Sequence, residues 1–425
     1  MTRDELLEIL KTGKVDYIRV EFVDVLGHVR GRSLRRIEFE ENIDVGFSFP
    51  ESLAILDYTD RPLDNRSSEV IAIPDSSTFV LVPYLERTSR VLSFLTYEDG
   101  TTHPLCSRSV LKRAVTKLEE REYRPMASFT ISFYLLRNRN GVFQPVDKAK
   151  AYSPEGLLLQ QDFLKSMIKD LEELGVPIQR VNKYYGPGQY ELSLVPADLL
   201  TATDNLVKAK EVIVDVATMY NMVASFMPKP FTEYPENTLE ISLGMKDAEG
   251  TNVLIDSADP RGLGISRQGY SFTGGILYHL KGICALTLPT VNSYKRLKSE
   301  ASGIIPSVGK DRSYIIRPIY GFRKAGMISF RLIDPLANPY LAIASIIFSG
   351  IDGMKREQDA MSLNPKELPQ SLSEALTSLA LDSYLNEVLG EELISTYISL
   401  KRRELEDYAK SVTDWEREHY LRGGC

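Results

Sequence analysis

Strand-like and helix-like segments alternate along the chain from about residue 107 to the C-terminus. Residues 128–136 and 190–194 have the short apolar pattern of strands, whereas residues 153–174 have the longer pattern of a helix that ends at Gly175. Near the C-terminus, residues 394–405 trace a stripe at helical spacing. This alternation predicts an α/β or α+β fold.

The first hundred residues have a different pattern, which predicts a small β-rich unit. Residues 18–22 alternate as in a half-buried strand, and a second β section covers residues 70–82. The turn-rich segment 99–104 marks the end of this unit. We therefore predict two domains, residues 1–102 and residues 103–425.

The composition is that of an ordinary globular protein. The 425 residues are 43% apolar and 26% charged, and the net charge is −7. This charge disfavours a broad nucleic-acid surface, and no apolar stretch approaches the roughly 20 residues that a membrane span needs. The longest stretch, residues 341–351, predicts a buried helix. Cys106, Cys284 and Cys425 are odd in number and far apart, which predicts no disulfide framework and no cysteine zinc site. We expect a cytoplasmic protein without nucleic-acid or membrane partners.

Six short phrases combine turn-forming glycine, proline and asparagine with aromatic and charged residues. In chain order they are Ile73–Phe79, Gly186–Glu191, Phe226–Pro230, Pro289–Leu297, Asp334–Leu341 and Leu368–Leu376. Their order and spacing resemble the glutamine synthetase family from about residue 15 to the C-terminus. The resemblance implies an α+β fold. A small N-terminal β-grasp-like domain would precede a larger catalytic-type domain, built on a curved antiparallel sheet with flanking helices.

The resemblance also implies an assembly of identical subunits. In the family, active sites form between neighbouring subunits, commonly in a dodecamer of two stacked hexamers. The segment around Trp415–Glu418 resembles the part that locks one ring to the other. We expect a homo-oligomer of hexameric rings or a dodecamer. An active glutamine synthetase or a nitrogen-regulatory protein is the further partner that the resemblance suggests.

Most family metal positions lack a carboxylate in this chain. Enzymes of this kind activate a carboxylate with ATP, and Mg or Mn held by carboxylate oxygens neutralises the phosphate charge. The family's Glu-x-Glu strand corresponds here to Thr130 and Ser132, whose spacing keeps both hydroxyls on one face. Lys183 and Ser329 match two further metal carboxylates. We expect the cation of Lys183 to repel a dication at that position.

Two glutamates remain as candidate metal ligands. Glu191 matches a family ligand, and Glu240 stands with Ser242 where the family has a His-x-His pair. Glu240 is either a relocated metal ligand or a partner for Lys183 or an arginine. We predict that no two-metal site forms and that both glutamates make ion pairs with Lys183 or with arginines.

Other departures fall at substrate positions. Met327 replaces a nucleotide-contacting arginine, and Pro50 stands in the loop that carries an ammonia-site aspartate. Glu300 is the candidate match for the family's gating glutamate, in a shortened flap.

Arginines are better retained than carboxylates. By the same resemblance, Arg296 and Arg331 match residues that hold the substrate carboxylate, and Arg312 and Arg317 match residues that meet ATP phosphates. Guanidinium forks suit both groups. These arginines either keep an anion or nucleotide pocket or pair with acidic side chains to hold the core.

Three functions are compatible with these residues. The first is a glutamine synthetase-like protein that has lost ATP- and metal-dependent ligation and is retained as a structural or regulatory homo-oligomer. The second is a divergent ATP-dependent γ-glutamyl ligase that acts on another amine and uses ATP with Mg or Mn. The third is a metal-poor nucleotide or small-molecule sensor. The missing metal carboxylates favour the first function, for which no cofactor is expected.

Overall fold

The computed structural model describes residues 1–299, 303–320, 326–364 and 367–421. The helices are α1 (Arg3–Lys11), α2 (Arg36–Asn42), α3 (Ser107–Glu119), α4 (Pro154–Leu159), α5 (Gln161–Glu173), α6 (Leu199–Met219), α7 (Arg267–Tyr278), α8 (Leu280–Thr287), α9 (Val291–Leu297), α10 (Pro339–Lys355), α11 (Leu372–Leu381), α12 (Ser383–Leu389), α13 (Glu391–Lys410) and α14 (Asp414–Tyr420). The strands are β1 (Tyr17–Val23), β2 (Val29–Arg35), β3 (Phe47–Pro50), β4 (Glu69–Pro74), β5 (Val80–Leu81), β6 (Thr88–Thr96), β7 (Arg124–Arg139), β8 (Val142–Pro145), β9 (Ile178–Lys183), β10 (Gln189–Leu194), β11 (Ala197–Asp198), β12 (Val223–Ser225), β13 (Leu239–Lys246), β14 (Ile305–Val308), β15 (Tyr314–Ile319) and β16 (Met327–Ile333).

The N-terminal strands form a sheet with its own hydrophobic core. Within the described residues, the main path of the sheet runs β2-β1-β6-β4-β3, with β5 paired to β6. The hairpin β1–β2 is antiparallel, whereas β1 and β6 are parallel. Phe22, Phe39 and Phe49 are buried beneath this sheet. A small β-rich N-terminal unit is thus present, and the boundary between residues 102 and 103 stays a prediction.

A larger sheet forms the centre of the rest of the chain. In the described residues its main path runs β14-β15-β16-β13-β7-β10-β9, and its pairs are antiparallel except for β14–β15. The long strand β7 pairs with both β10 and β13. Phe129, Ile131 and Phe133 of β7 point into the main hydrophobic core. The alternate residues of β7 therefore face the opposite side of the sheet.

Asn338 connects the N-terminal unit to the large core. Its side-chain oxygen caps helix α10 by accepting hydrogen bonds from the backbone N–H groups of Tyr340 and Leu341, at 3.0 and 3.3 Å. Its Nδ2 donates to the backbone carbonyls of Asp24 and Val25, at 2.9 and 3.2 Å. One buried amide thus fixes the start of α10 and the turn that follows β1.

The structure revises one helix prediction and confirms another. The helix predicted over residues 153–174 is divided at Gln160, where φ is −118° and ψ is 23°. The first segment, α4, packs on β9, whereas α5 packs mainly on α6, so the break lets the two segments follow different surfaces. The apolar stretch 341–351 lies within the buried helix α10, as predicted. Among the described residues, none of the helices combines the length and apolarity that a membrane span requires.

Helices α7 and α10 approach each other through glycine. A Cβ atom added to Gly275 would lie 2.0 Å from the carbonyl oxygen of Ser349 and 2.6 Å from the backbone nitrogen of Gly353. Since both contacts are with backbone atoms, a substituted side chain cannot be accommodated by a rotamer change.

Replacing Gly275 with alanine is therefore expected to lower the free energy of unfolding by about 1–3 kcal/mol or more. The matched control is Gly282→Ala in α8, whose added Cβ would meet first the movable Cδ1 of Leu385, at 3.1 Å. Because alanine favours helix, this control should be neutral or slightly stabilising. Thermal unfolding of both variants measures the difference, and equal melting temperatures would contradict the close-packing explanation.

Candidate active site

A cavity of about 580 Å³ opens on the face of the large sheet that turns away from the main core. Side chains at alternate positions of β7, β9, β10, β13, β15 and β16 form its floor, because residues two apart on a strand share a face. Its charged lining, within the described residues, is Arg180, Arg312, Arg317, Arg331, Glu191 and Glu240. Four cations against two carboxylates make this lining suited to an anionic ligand.

Glu240 is held by two neighbours on the cavity floor. Arg317 Nη2 donates to Glu240 Oε1 at 3.0 Å, and Ser329 Oγ donates to the same oxygen. Arg317 and Ser329 are cross-strand partners on β15 and β16. The predicted ion pair between Glu240 and an arginine is confirmed.

Glu191 is held differently, by an amide. Asn182, its cross-strand partner on β9, donates from Nδ2 to Glu191 Oε1 at 2.9 Å. Burial raises the pKa of the Glu191 carboxyl, while the hydrogen bond from Asn182 and the charge of Arg180 oppose that change. Among the described residues, no ion pair joins Glu191 to an arginine or to Lys183, so the predicted pairing is wrong for this glutamate.

Replacing Glu191 with glutamine is expected to raise the melting temperature, and to do so more at pH 7–8 than near pH 4. The folded protein binds the Glu191 proton more tightly than the unfolded chain does. The associated stability is therefore present below the unfolded pKa of about 4.3 and is lost as pH rises through the raised folded pKa. Glutamine does not titrate, so the variant escapes this loss.

Thermal unfolding of wild type and variant between pH 4 and pH 8 measures the effect. Glu249→Gln, in an exposed turn, is the matched control and should show no pH-dependent difference. A Glu191→Gln difference that stays constant with pH, or that grows as pH falls, would disprove the assigned cause.

Lys183 does not face the cavity. It pairs with Tyr190 in the β9–β10 ladder, one residue beyond the pair Asn182–Glu191, so its side chain points to the opposite face. There its Nζ donates to the carbonyls of Tyr184 and Gly186 and lies 3.9 Å from Asp147 Oδ1. Burial lowers the pKa of Lys183, and Asp147 opposes that change. The prediction that Lys183 occupies a cation position in the site is therefore wrong, as is its pairing with Glu191 or Glu240.

The hydroxyls at the other metal positions bond to protein groups. Thr130 Oγ1 lies 2.9 Å from Ser193 Oγ, and Ser132 Oγ accepts from the backbone N–H of Thr238 at 2.8 Å. Thr130 lines the cavity, as do Ser242 and Met327. In the parts of the chain that the structure describes, no three His, Cys, Asp or Glu side chains converge as a metal site would require. Hard divalent ions prefer several carboxylate oxygens, so this donor set does not fit a two-metal centre.

Arg331 reaches the cavity from a β-bulge. The pairing of β13 with β16 passes from Leu239–Ile333 to Ile241–Phe330, which leaves one extra residue on β16 at this point. Bulges next to active sites commonly redirect a side chain. Burial is the main influence that lowers the pKa of Arg331, and Glu240 opposes it. Arg331 thus lies close enough to Glu240 for their charges to interact.

Arg296 and Pro50 lie outside the cavity lining, and the prediction for Glu300 falls outside the described residues. Arg296 is fully buried, donates to the carbonyl of Ile333 at 3.0 Å and pairs with Asp334, so it does not line the cavity. The interpretation that an arginine holds the core through an acidic side chain therefore applies to Arg296. Pro50 ends β3 in the N-terminal sheet and is also absent from the cavity lining. Glu300 lies outside the described residues.

Arg180 and two tyrosines also line the cavity, although no sequence motif pointed to them. Tyr152 and Tyr184 line the cavity, and their ring centroids are 6.1 Å apart. Tyr152 has a φ of +55°, a strained conformation for a tyrosine. Burial lowers the pKa of Arg312, but the adjacent tyrosines and Glu240 outweigh it and raise that pKa overall. Two sequence features could have indicated these residues. One is the Tyr184-Tyr185 pair before Gly186, and the other is the two-residue spacing of Arg180 and Asn182, which places both on one face of β9.

Full-length relatives of this chain are named as a glutamate–methylamine ligase and as glutamine synthetases. A glutamate–methylamine ligase of Methyloversatilis universalis is 29% identical over 99% of both chains. A glutamine synthetase of Pyrococcus woesei is 30% identical and covers 96% of this chain and 97% of its own length. The expectation that this chain has lost ligase activity, and serves as a scaffold or sensor, is overturned by these relatives.

Solved structures agree with the sequence relatives. A structure of GmaS without ligand superposes with a TM-score of 0.87 at 27% identity and covers 98% of this chain and 99% of its own. A GmaS complex with ADP has a TM-score of 0.88 at 26% identity, with the same coverage. The predicted α+β, glutamine synthetase-like fold is confirmed.

The catalytic-domain family of glutamine synthetase matches residues 104–420, about three quarters of the chain. This match includes every strand of the large sheet that carries the cavity. The chain therefore belongs to the glutamine synthetase family.

Proposed function

We propose that this protein is an ATP-dependent ligase that joins ammonia or a small primary amine to the side-chain carboxylate of a glutamate-type acid. The observation that carries the proposal is the arginine-rich cavity at the centre of the large sheet. Both the acid and ATP are anions, and guanidinium forks bind carboxylates and phosphates with matched geometry. The full-length similarity to proteins named glutamate–methylamine ligase and glutamine synthetase supports the same reaction class.

The proposed chemistry has two steps. An oxygen of the acid attacks the γ-phosphorus of ATP, which forms an acyl phosphate and releases ADP. The amine then attacks the acyl carbon, loses a proton and expels inorganic phosphate, which leaves an amide. Arg331 is assigned to the acid carboxylate, and Arg312 and Arg317 are assigned to the phosphates.

Glu191 is the candidate acceptor of the amine proton. It lines the cavity, and within the described residues its hydrogen-bond partner is a neutral amide rather than a cation. The burial that raises its pKa brings it nearer to the operating pH, as a general base requires.

Phosphate release is the first test of this function. The purified chain is incubated with ATP, Mg or Mn, a set of amino acids and dicarboxylic acids, and a set of amines that includes ammonia and methylamine. We expect phosphate release that requires both an acid and an amine, with an amide detected by mass spectrometry. Acid-independent hydrolysis of ATP, or no release with any pair, would reject the proposal.

We also propose a homo-oligomer of hexameric rings or a dodecamer. Helix α14 carries Trp415, which is 57% exposed, and Tyr420, which is 67% exposed. Large apolar side chains exposed together commonly mark an interface. Light scattering at micromolar concentration should report a ring-sized particle, and a stable monomer would reject this assembly.

A further inference from the structure

Among the described residues, some charged side chains of the cavity have an oppositely charged partner at ion-pair distance, and others do not. Within the described parts of the chain, the ion pair that joins two of them is Arg317–Glu240, at 3.0 Å. Glu191 is engaged by the amide of Asn182 instead. Arg180, Arg312 and Arg331 are therefore left without a described carboxylate at ion-pair distance.

Guanidinium groups that lack a carboxylate partner are costly in a partly buried cavity. Taking a charge out of water is unfavourable unless an opposite charge or hydrogen bonds compensate. Burial already disfavours the charged form of Arg331, as the lowered pKa indicates. An anion that enters the cavity would relieve this cost, and the three arginines supply several N–H donors for it.

Several positions that match the family's metal ligands carry hydroxyl groups, and these groups are already hydrogen-bonded to the protein. Thr130 is hydrogen-bonded to the side chain of Ser193, and Ser132 is hydrogen-bonded to the backbone of Thr238. Ser329 is hydrogen-bonded to Glu240, and the charge of Glu240 is already neutralised by Arg317. The cavity thus offers positive charge that is built into the protein, and little free carboxylate with which to recruit more.

We propose that guanidinium groups, rather than bound divalent ions, neutralise the phosphates of a nucleotide in this cavity, so that a nucleoside diphosphate binds without a divalent ion. The choice of a nucleotide as the ligand rests on the proposed function. Arg312 and Arg317 are assigned to contact the phosphates, and Glu240 competes with the ligand for Arg317.

Calorimetric titration of ADP in EDTA, and again in excess Mg, tests this inference. We expect the full-length protein to bind ADP in EDTA, with an affinity within about threefold of that in Mg. Arg312→Gln should weaken binding in EDTA at least about tenfold, the usual effect of removing a charged hydrogen-bond donor. Arg267→Gln is the matched control, because Arg267 is exposed on α7 and outside the cavity.

Glu240→Gln gives the sharpest outcome, because the two explanations predict opposite signs. If arginines neutralise the phosphates, loss of the Glu240 charge frees Arg317 and strengthens ADP binding severalfold, in EDTA and in Mg alike. If a metal at Glu240 neutralises them, the same variant weakens ADP binding in Mg. Each variant's melting temperature without ligand shows that it is folded, and Arg317→Gln provides a second test should Arg312→Gln not fold.

The outcomes separate this inference from the proposed function. Ligation in Mg combined with no ADP binding in EDTA would overturn the inference alone. ADP binding in EDTA without ligation of any acid and amine would support the inference and reject the ligase. No ADP binding under either condition would overturn the inference.

Discussion

Replacing Arg331 with glutamine is expected to lower kcat/KM for the acid substrate at least about 30-fold, with the loss mainly in KM for the acid. Removing one partner of a buried, hydrogen-bonded charge pair costs about 2–5 kcal/mol, and each 1.36 kcal/mol is about tenfold in rate. Arg331 lines the cavity from the bulge in β16 and has no described carboxylate partner that would otherwise occupy it.

Steady-state kinetics with varied acid and varied ATP measure this effect. The KM for ATP should change less than the KM for the acid. Arg331→Lys should be intermediate, because it keeps the charge and loses the fork. Arg267→Gln, on the exposed end of α7, is the control. An unchanged KM for the acid in Arg331→Gln would remove this residue from the acid site.

Replacing Asp334 with alanine is expected to lower the free energy of unfolding by about 3–5 kcal/mol, because the buried guanidinium of Arg296 would lose its counter-charge. Both side chains are buried, with exposures of 2% for Arg296 and 0% for Asp334. Burial raises the pKa of Asp334 and the charge of Arg296 opposes that change, so the two groups depend on each other.

The control for this effect is an ion pair of the same type at the surface. Glu357 pairs with Arg267 at 2.9 Å, and both side chains are exposed. Glu357→Ala should leave the unfolding transition nearly unchanged, because exposed ion pairs contribute little. Denaturant or thermal unfolding compares the two variants. If Asp334→Ala were as stable as the control, the Arg296–Asp334 pair could not be an important support of the core.

The six sequence phrases predicted the fold well because they combine turns with side chains that contact defined partners in the structure. The phrase Asp334–Leu341, for example, supplies the partner of Arg296 and the asparagine that caps α10. Period-2 spacing also placed Thr130 on the cavity floor. These features depend on local backbone geometry, which residue type and spacing specify.

The site was less predictable because a shift of one residue along a strand moves a side chain to the opposite face of the sheet. Matching by spacing assigned Lys183 to the site, yet Asn182 is the residue that faces Glu191. Arg296 was assigned to the substrate, but tertiary packing brings it to Asp334. Tyr152 lines the cavity and has a positive φ, a backbone conformation that no sequence pattern predicted.

The functional prediction was wrong because it gave the missing metal carboxylates more weight than the retained arginines. The cavity has four arginines, counted over the described residues, and they supply charge in another form. The chain's full-length relatives are named as a glutamate–methylamine ligase and a glutamine synthetase, which removes inactivity as the default expectation.

Transfer of an oxygen isotope from the acid to phosphate tests the central claim most directly. The acid that supports phosphate release is labelled with ¹⁸O in its reacting carboxylate and incubated with the protein, ATP and the amine. Activation of that carboxylate by ATP predicts one labelled oxygen in each inorganic phosphate released, together with the amide. Phosphate that contains no ¹⁸O from the acid would contradict the proposed ligase reaction.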